Sequence, residues 1–180
     1  MKKRRIKINE MALMSLMAAV LCMIGPVTIP VGLVPVSILP VVLYLVVYVL
    51  GMWRAFGSCL LYIFIGLIGI PVFSGYSSGP AALLGPTGGY LVGYLLLTLC
   101  SGFFIQKYIK KGWHLLGMLL GLFFCYLLGS VWLAVVAKLT LYQAFVTGVV
   151  PFVIFDLIKI ICALLIGPLV RRHLKKANVI

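Results

Sequence analysis

The chain has 180 residues, 64% of them hydrophobic and 9% charged, with a mean hydropathy of +1.27. A soluble domain is about 45–50% apolar and about 25% charged, so a water-soluble fold is excluded and an integral membrane protein remains. The formal charge of +13 does not point to nucleic acid, because the basic residues sit at the ends of apolar runs. The positive-inside rule reads them as cytoplasmic anchors, and attraction to anionic membrane lipid follows as a by-product.

The apolar runs are continuous rather than alternating, which predicts helices and not barrel strands. The first element follows a basic start, Lys2, Lys3, Arg4, Arg5 and Lys7. This start imitates a signal peptide. No A-x-A site follows, and bulky Leu21 precedes Cys22 where a lipoprotein site needs a small residue, so a retained first helix is expected. Residues 11–53 carry no charge and suffice for two crossings at about 20 residues each. GPVTIPVGLVP at 25–35 breaks them apart. Residues 55–106 hold two more crossings, separated by PVFSGYSSGPAALLGPTGG at 71–89. Residues 112–137 supply a fifth and 139–170 a sixth.

The expected fold is therefore an all-α integral membrane protein with six transmembrane helices in one domain, residues 1–180. With the N-terminus inside, Arg54, the Lys107, Lys110 and Lys111 cluster and the Arg171, Arg172, Lys175 and Lys176 cluster all fall inside. Both termini are then cytoplasmic. Of the 15 Lys and Arg, only Lys138 lies outside and Lys159 within a span. Three outer connections result, at 26–36, 71–86 and about 138–147. The first and second of these, loops one and three of the chain, are longer than a hairpin needs and read as lids or binding loops.

Asp156 and Lys159, in PFVIFDLIK of the sixth span, carry the chemistry. A charge near the centre of a span costs roughly 2.5–3.5 kcal/mol or more. Three apart on a helix, the two side chains share a face and can pair. Three readings stand: a structural pair, a proton or ion relay, and a buried site for a polar solute. The last suits a solute with both N–H donors and a carbonyl, such as a urea or amide. GPTGGY at 85–90 has the chemistry of a helix start, with a Gly85-Pro86 turn and Thr87 as a cap. Gly88 and Gly89 admit either a ligand or a neighbouring backbone. Phe73, Tyr76, Tyr90, Tyr94 and Trp132 near the outer loops are either pocket walls or interfacial belt residues. Ala12, Ser15 and Ala19 form a small-residue face on helix one, suited to internal packing or to docking another membrane subunit.

The five cysteines lie in apolar runs without CxxC or Cys/His spacing, and His114 and His173 flank spans. Neither set forms a metal motif, and no metal or cofactor is expected. No GxxxxGK[ST] or HExxH occurs, so an enzyme is disfavoured, and a primary pump would need another chain for ATP hydrolysis.

The segment GIPVFSGYSSGPAALLGPTGGYLVGY at 69–94, with VPVS at 34–37 and PFVIFDLIK, resembles the BioY biotin transporters over most of the chain. The resemblance implies a six-helix substrate-binding (S) component of an energy-coupling factor (ECF) transporter in a prokaryotic cell membrane. It further implies that biotin binds near the outer face under loops one, three and five. The implied partners are a transmembrane scaffold protein, docked through small residues of helix one, and two cytoplasmic ATPases. Candidate ligand residues are Asp156, Lys159, Tyr90, Thr87, Gly88, Gly89, Ser77, Ser78 and Ser37; candidate docking residues are Ala12, Ser15 and Ala19. Two positions depart from the family pattern: Leu39 stands where a Gln is usual, and Ser15 replaces the first Ala of the docking pair. Asp156 suits the ureido N–H groups and Lys159 the ureido carbonyl or the carboxylate, for which the start of helix four is a rival. The alternative is a proton-coupled carrier or channel with Asp156 as its titrating group.

Overall fold

A computed structural model describes residues 8–30, 34–108 and 111–177. Six helices of 12 residues or more follow the charge-poor stretches: α1 (Ile8–Ile24), α2 (Leu39–Leu50), α3 (Met52–Leu67), α5 (Gly88–Lys107), α6 (Lys111–Val136) and α8 (Val150–Lys176). Two short helices lie between them, α4 (Gly79–Leu84) and α7 (Leu141–Gly148). By length and composition, α5, α6 and α8 can each cross a membrane, whereas α1, α2 and α3 are apolar but shorter.

The first long loop is not wholly irregular. Thr28–Ile29 (β1) and Val36–Ser37 (β2) pair antiparallel, with Thr28 opposite Ser37. This small ladder departs from a purely helical expectation. It satisfies backbone groups in a Pro-rich segment that cannot continue as helix. The expected loop at 138–147 is largely the helix α7. Thr140 opens it with a capping box, its hydroxyl accepting from the Gln143 N–H while the Gln143 side chain accepts from the Thr140 N–H. Helix propensity wins there because both ends of that box are encoded locally.

Helix α2 is the central element. LPVVLYLVVYVL is apolar on every side, and nine of its residues are buried, as expected of a helix without a polar face. It packs against α8, α5 and α3, while α5 and α6 form the most extensive pair. Pro40 fits the first turn of α2, where its missing N–H costs nothing. Gly51, at φ +79°, ends α2 and starts α3 with no intervening residue. That left-handed conformation is one only glycine adopts freely.

Outward faces are apolar rather than polar. Phe123, Leu127, Val131 and Val135 of α6 and Ile154, Ile158, Ile161 and Leu165 of α8 are all exposed. Apolar surface of this extent needs lipid against it.

Candidate functional site

Helical spacing brings the site together. On α8, Phe152, Asp156 and Lys159 recur at intervals of four and three and so share a face. Tyr90, Leu91, Tyr94 and Leu97 do the same on α5, and Leu122, Cys125 and Tyr126 on α6. These faces converge on one cavity, roofed by Val34, Pro35 and Ser37 of the first loop and by Ser74 and Thr87 of the second. The two loops are tied together where the Gly75 N–H donates to the Pro26 carbonyl at 3.3 Å.

The polar floor of the cavity is a three-residue cluster. Lys159 Nζ donates to Asp156 Oδ1 at 2.5 Å, and Tyr126 Oη donates to Asp156 Oδ2 at 2.5 Å. Asp156 is 6% exposed, so both carboxylate oxygens are satisfied by charge-assisted bonds away from bulk water. The ammonium offsets the carboxylate's charge, as burial of either requires. A carboxylate has about four lone-pair sites, so two remain for a further donor.

The cavity volume is about 50 Å³. A water needs roughly 10–15 Å³ on this measure, while small-molecule sites occupy about 300–1,000 Å³. Among the described residues the cavity is thus smaller than a typical small-molecule site.

The BioY family model matches residues 1–176. The chain is 35% identical over 173 residues to the biotin transporter BioY2 of Lactococcus lactis subsp. cremoris (strain MG1363), covering 96% of this chain and 95% of that one. It is 35% identical over 161 residues to a probable biotin transporter BioY of Pyrococcus horikoshii, covering 89% and 95%. The chain belongs to the BioY family. Its fold matches the 2.1 Å crystal structure of an S-component for biotin from an ECF-type ABC transporter with a TM-score of 0.82, at 28% identity, over 93% of this chain and 92% of that one.

Within this BioY chain the nine candidate ligand residues divide. Asp156, Lys159, Tyr90, Thr87 and Ser37 all line the cavity. Tyr90 Oη donates to the Gly148 carbonyl at 2.8 Å, fixing α5 against the end of α7. Ser37 Oγ accepts from the Leu39 N–H at 3.1 Å at the start of α2. Leu39 itself is 1% exposed and packs in the core. Thr87 stands at the N-cap of α5 but makes no side-chain capping bond, contrary to the capping expectation. Its carbonyl instead accepts from the Tyr90 and Leu91 N–H groups.

Gly88 and Gly89 lie outside the cavity lining. A Cβ on Gly89 would stand 2.7 Å from the Leu128 carbonyl and collide with Trp132 of α6, and one on Gly88 would run into the Leu83 carbonyl of α4, so both glycines allow close packing of neighbouring chain. The Gly88 N–H already donates to the Gly85 carbonyl at 3.1 Å, which weakens the case for an anion at this helix start. Ser77 and Ser78 are also outside the lining; Ser77 Oγ donates back to the Ser74 carbonyl at 2.8 Å. Ser74 is the serine of this loop that reaches the cavity.

Of the aromatic candidates, Tyr90 and Tyr94 are walls of the cavity. Phe73 is buried edge-on against Tyr62, Tyr76 is exposed, and Trp132 donates to the Gly85 carbonyl at 3.0 Å. Ala12, Ser15 and Ala19 are all exposed, while Ala18 and Leu21 on the other side of α1 face the bundle.

Sequence reasoning missed Tyr126. It lies 30 positions from Asp156, on a helix whose tyrosine looks like any interfacial aromatic. Its only sequence signal was its place within an otherwise apolar stretch.

Proposed function

We propose that this chain is the biotin-binding S component of an ECF-type importer, multi-pass in a prokaryotic cell membrane, with six spans and both termini in the cytoplasm. The observation that carries the reading is the Asp156–Lys159–Tyr126 cluster at the floor of a loop-roofed cavity, in a chain of the BioY family. Biotin offers ureido N–H groups, an apolar thioether ring and a carboxylate tail. Asp156 accepts from the ureido N–H groups through its remaining lone pairs. Lys159 meets the ureido carbonyl or the carboxylate. Leu91, Leu97, Leu122 and Phe152, with Tyr90 and Tyr94, form the apolar walls against the ring.

Loops one and three act as the lid and swing out to admit the vitamin. The exposed face of Ala12, Ser15 and Ala19 docks a transmembrane scaffold protein, and two cytoplasmic ATPases supply the energy. The chain itself performs no chemistry.

The test is thermal unfolding of the purified chain, alone in detergent, with biotin and with an unrelated vitamin. A ligand at about one hundred times its Kd stabilises by roughly 2.7 kcal/mol, which appears as a clear rise in midpoint. A midpoint indifferent to biotin, in a chain that unfolds cooperatively, would sink the reading. A proton-coupled carrier would lack tight equilibrium binding by the isolated chain.

A further inference from the structure

The end of the bundle opposite the Asp156 cavity holds a second, larger cavity of about 570 Å³. Helix α8 contributes Arg171 and Lys175, α3 contributes Arg54 and Trp53, α1 contributes Glu10, and α5 contributes Gln106. Arg171 and Lys175 are four apart and therefore share a face, where like charges repel.

The charge balance of this cavity is unusual. The whole chain has two acidic side chains. Glu10 pairs with Arg54 at 2.6 Å and Asp156 pairs with Lys159. No side-chain carboxylate remains for Arg171 and Lys175, so two cations line the cavity that the chain's acidic side chains do not neutralise. Its walls are also apolar in part, from Met14 of α1 and Leu50 of α2.

The depth of the cavity is marked by aromatic residues. Trp53 at its rim is 68% exposed, and at the same end Tyr108 and Trp113 stack with ring centroids 4.6 Å apart. Aromatics at a helix end, such as exposed Trp53 and Trp113, suit the headgroup level of a bilayer.

We propose that this cavity is a binding site for a phosphoryl group, supplied by the head group of an anionic phospholipid. Arg171 and Lys175 bind the phosphate oxygens, Arg54 stays with Glu10 at the rim, and the apolar walls take the start of the acyl chains. Basic pockets between helices on the cytoplasmic side suit such lipids. The apolar walls and the interfacial level favour a lipid over free phosphate.

The site is tested on the purified full chain in neutral detergent by thermal unfolding with phosphatidylglycerol, phosphatidylcholine or inorganic phosphate. The double variant Arg171→Gln/Lys175→Gln is compared with Arg172→Gln/Lys176→Gln, which removes the same charge from outside the cavity. Phosphatidylglycerol should raise the midpoint and phosphatidylcholine should not. The cavity variant should need about tenfold more phosphatidylglycerol, or beyond, for the same shift, having lost two charge-assisted bonds. The outside variant should respond as the unaltered chain does.

Equal loss in both variants, or an equal response to phosphatidylcholine, would overturn the site. A full-sized shift with inorganic phosphate, lost in the cavity variant, would keep the phosphoryl site and overturn the lipid as its source. If the double variant fails to unfold cooperatively, native mass spectrometry of Lys175→Gln decides the matter. Retained phosphatidylglycerol should fall relative to the unaltered chain, and undiminished retention counts against the proposal.

Discussion

Asp156 is the residue on which the binding reading turns, and its two partners make different predictions. Asp156→Asn keeps the size but removes the charge and one acceptor oxygen. Losing a charge-assisted hydrogen bond to the ligand costs about 1.5–3 kcal/mol, so biotin affinity should fall roughly tenfold to over a hundredfold while the variant stays folded. Isothermal titration on the detergent-solubilised chain reads this directly, and unchanged affinity would remove Asp156 from the site. Tyr126→Phe leaves the carboxylate with Lys159 but without the hydroxyl that fixes its second oxygen. Affinity should fall less, by about 1–2 kcal/mol or roughly fivefold to thirtyfold. A larger loss than in Asp156→Asn would mean that Tyr126 itself touches the ligand.

At the scale of elements, the α5–α6 pair sets the walls of the cavity, and glycine sets the distance between those helices. Gly89→Val would force a branched side chain into the Leu128 carbonyl and Trp132. Overpacking of this kind costs about 1–3 kcal/mol, so the thermal midpoint should drop. Biotin should still stabilise whatever fraction folds. Lost binding with an unchanged midpoint would return Gly89 to the ligand site. The loops obey a different logic. β1 and β2 pair for only two residues each, and loops one and three are joined through the Gly75–Pro26 bond. Pairing this short among the described residues is consistent with the proposed lid, which must open at small cost.

At the scale of the whole molecule, the proposed orientation and assembly rest on charge and on the exposed face of α1. With the five native cysteines replaced, a Cys at Ser78 should react with an impermeant thiol reagent from outside and one at Lys176 should not. Labelling of the second from outside would overturn the proposed topology. Ala19→Trp places a bulky ring on the exposed small face. It should leave biotin binding by the purified chain intact, because the cavity lies on the inner faces of α5, α6 and α8. Energised uptake and co-purification of the scaffold protein should be lost, since dispersion contacts fade within about an ångström. Survival of both would show that this face carries no partner.

The sequence by itself determined the class of this protein, the places of its main helices and the pairing of Asp156 with Lys159. Each of these is local: hydropathy sums over a window, Pro and Gly end helices where they stand, and an i,i+3 pair needs only the helix that carries it. The GPTGGY and PFVIFDLIK segments also carried the family, because motif order survives without coordinates of any kind. What the tertiary structure alone decided depends on the rotation and spacing of helices distant in sequence. Tyr126 reaches Asp156 only because α6 and α8 present those faces to one cavity. Gly89 lies within carbonyl contact of α6 and Gly88 against the Leu83 carbonyl of α4, and Ser74 rather than its neighbours Ser77 and Ser78 lines the cavity. Arg171 and Lys175 gather with Glu10 and Arg54 only because three helices, α1, α3 and α8, end at the same level. Hydropathy carries no information about such rotations, since in an apolar helix every face looks alike until neighbours choose one.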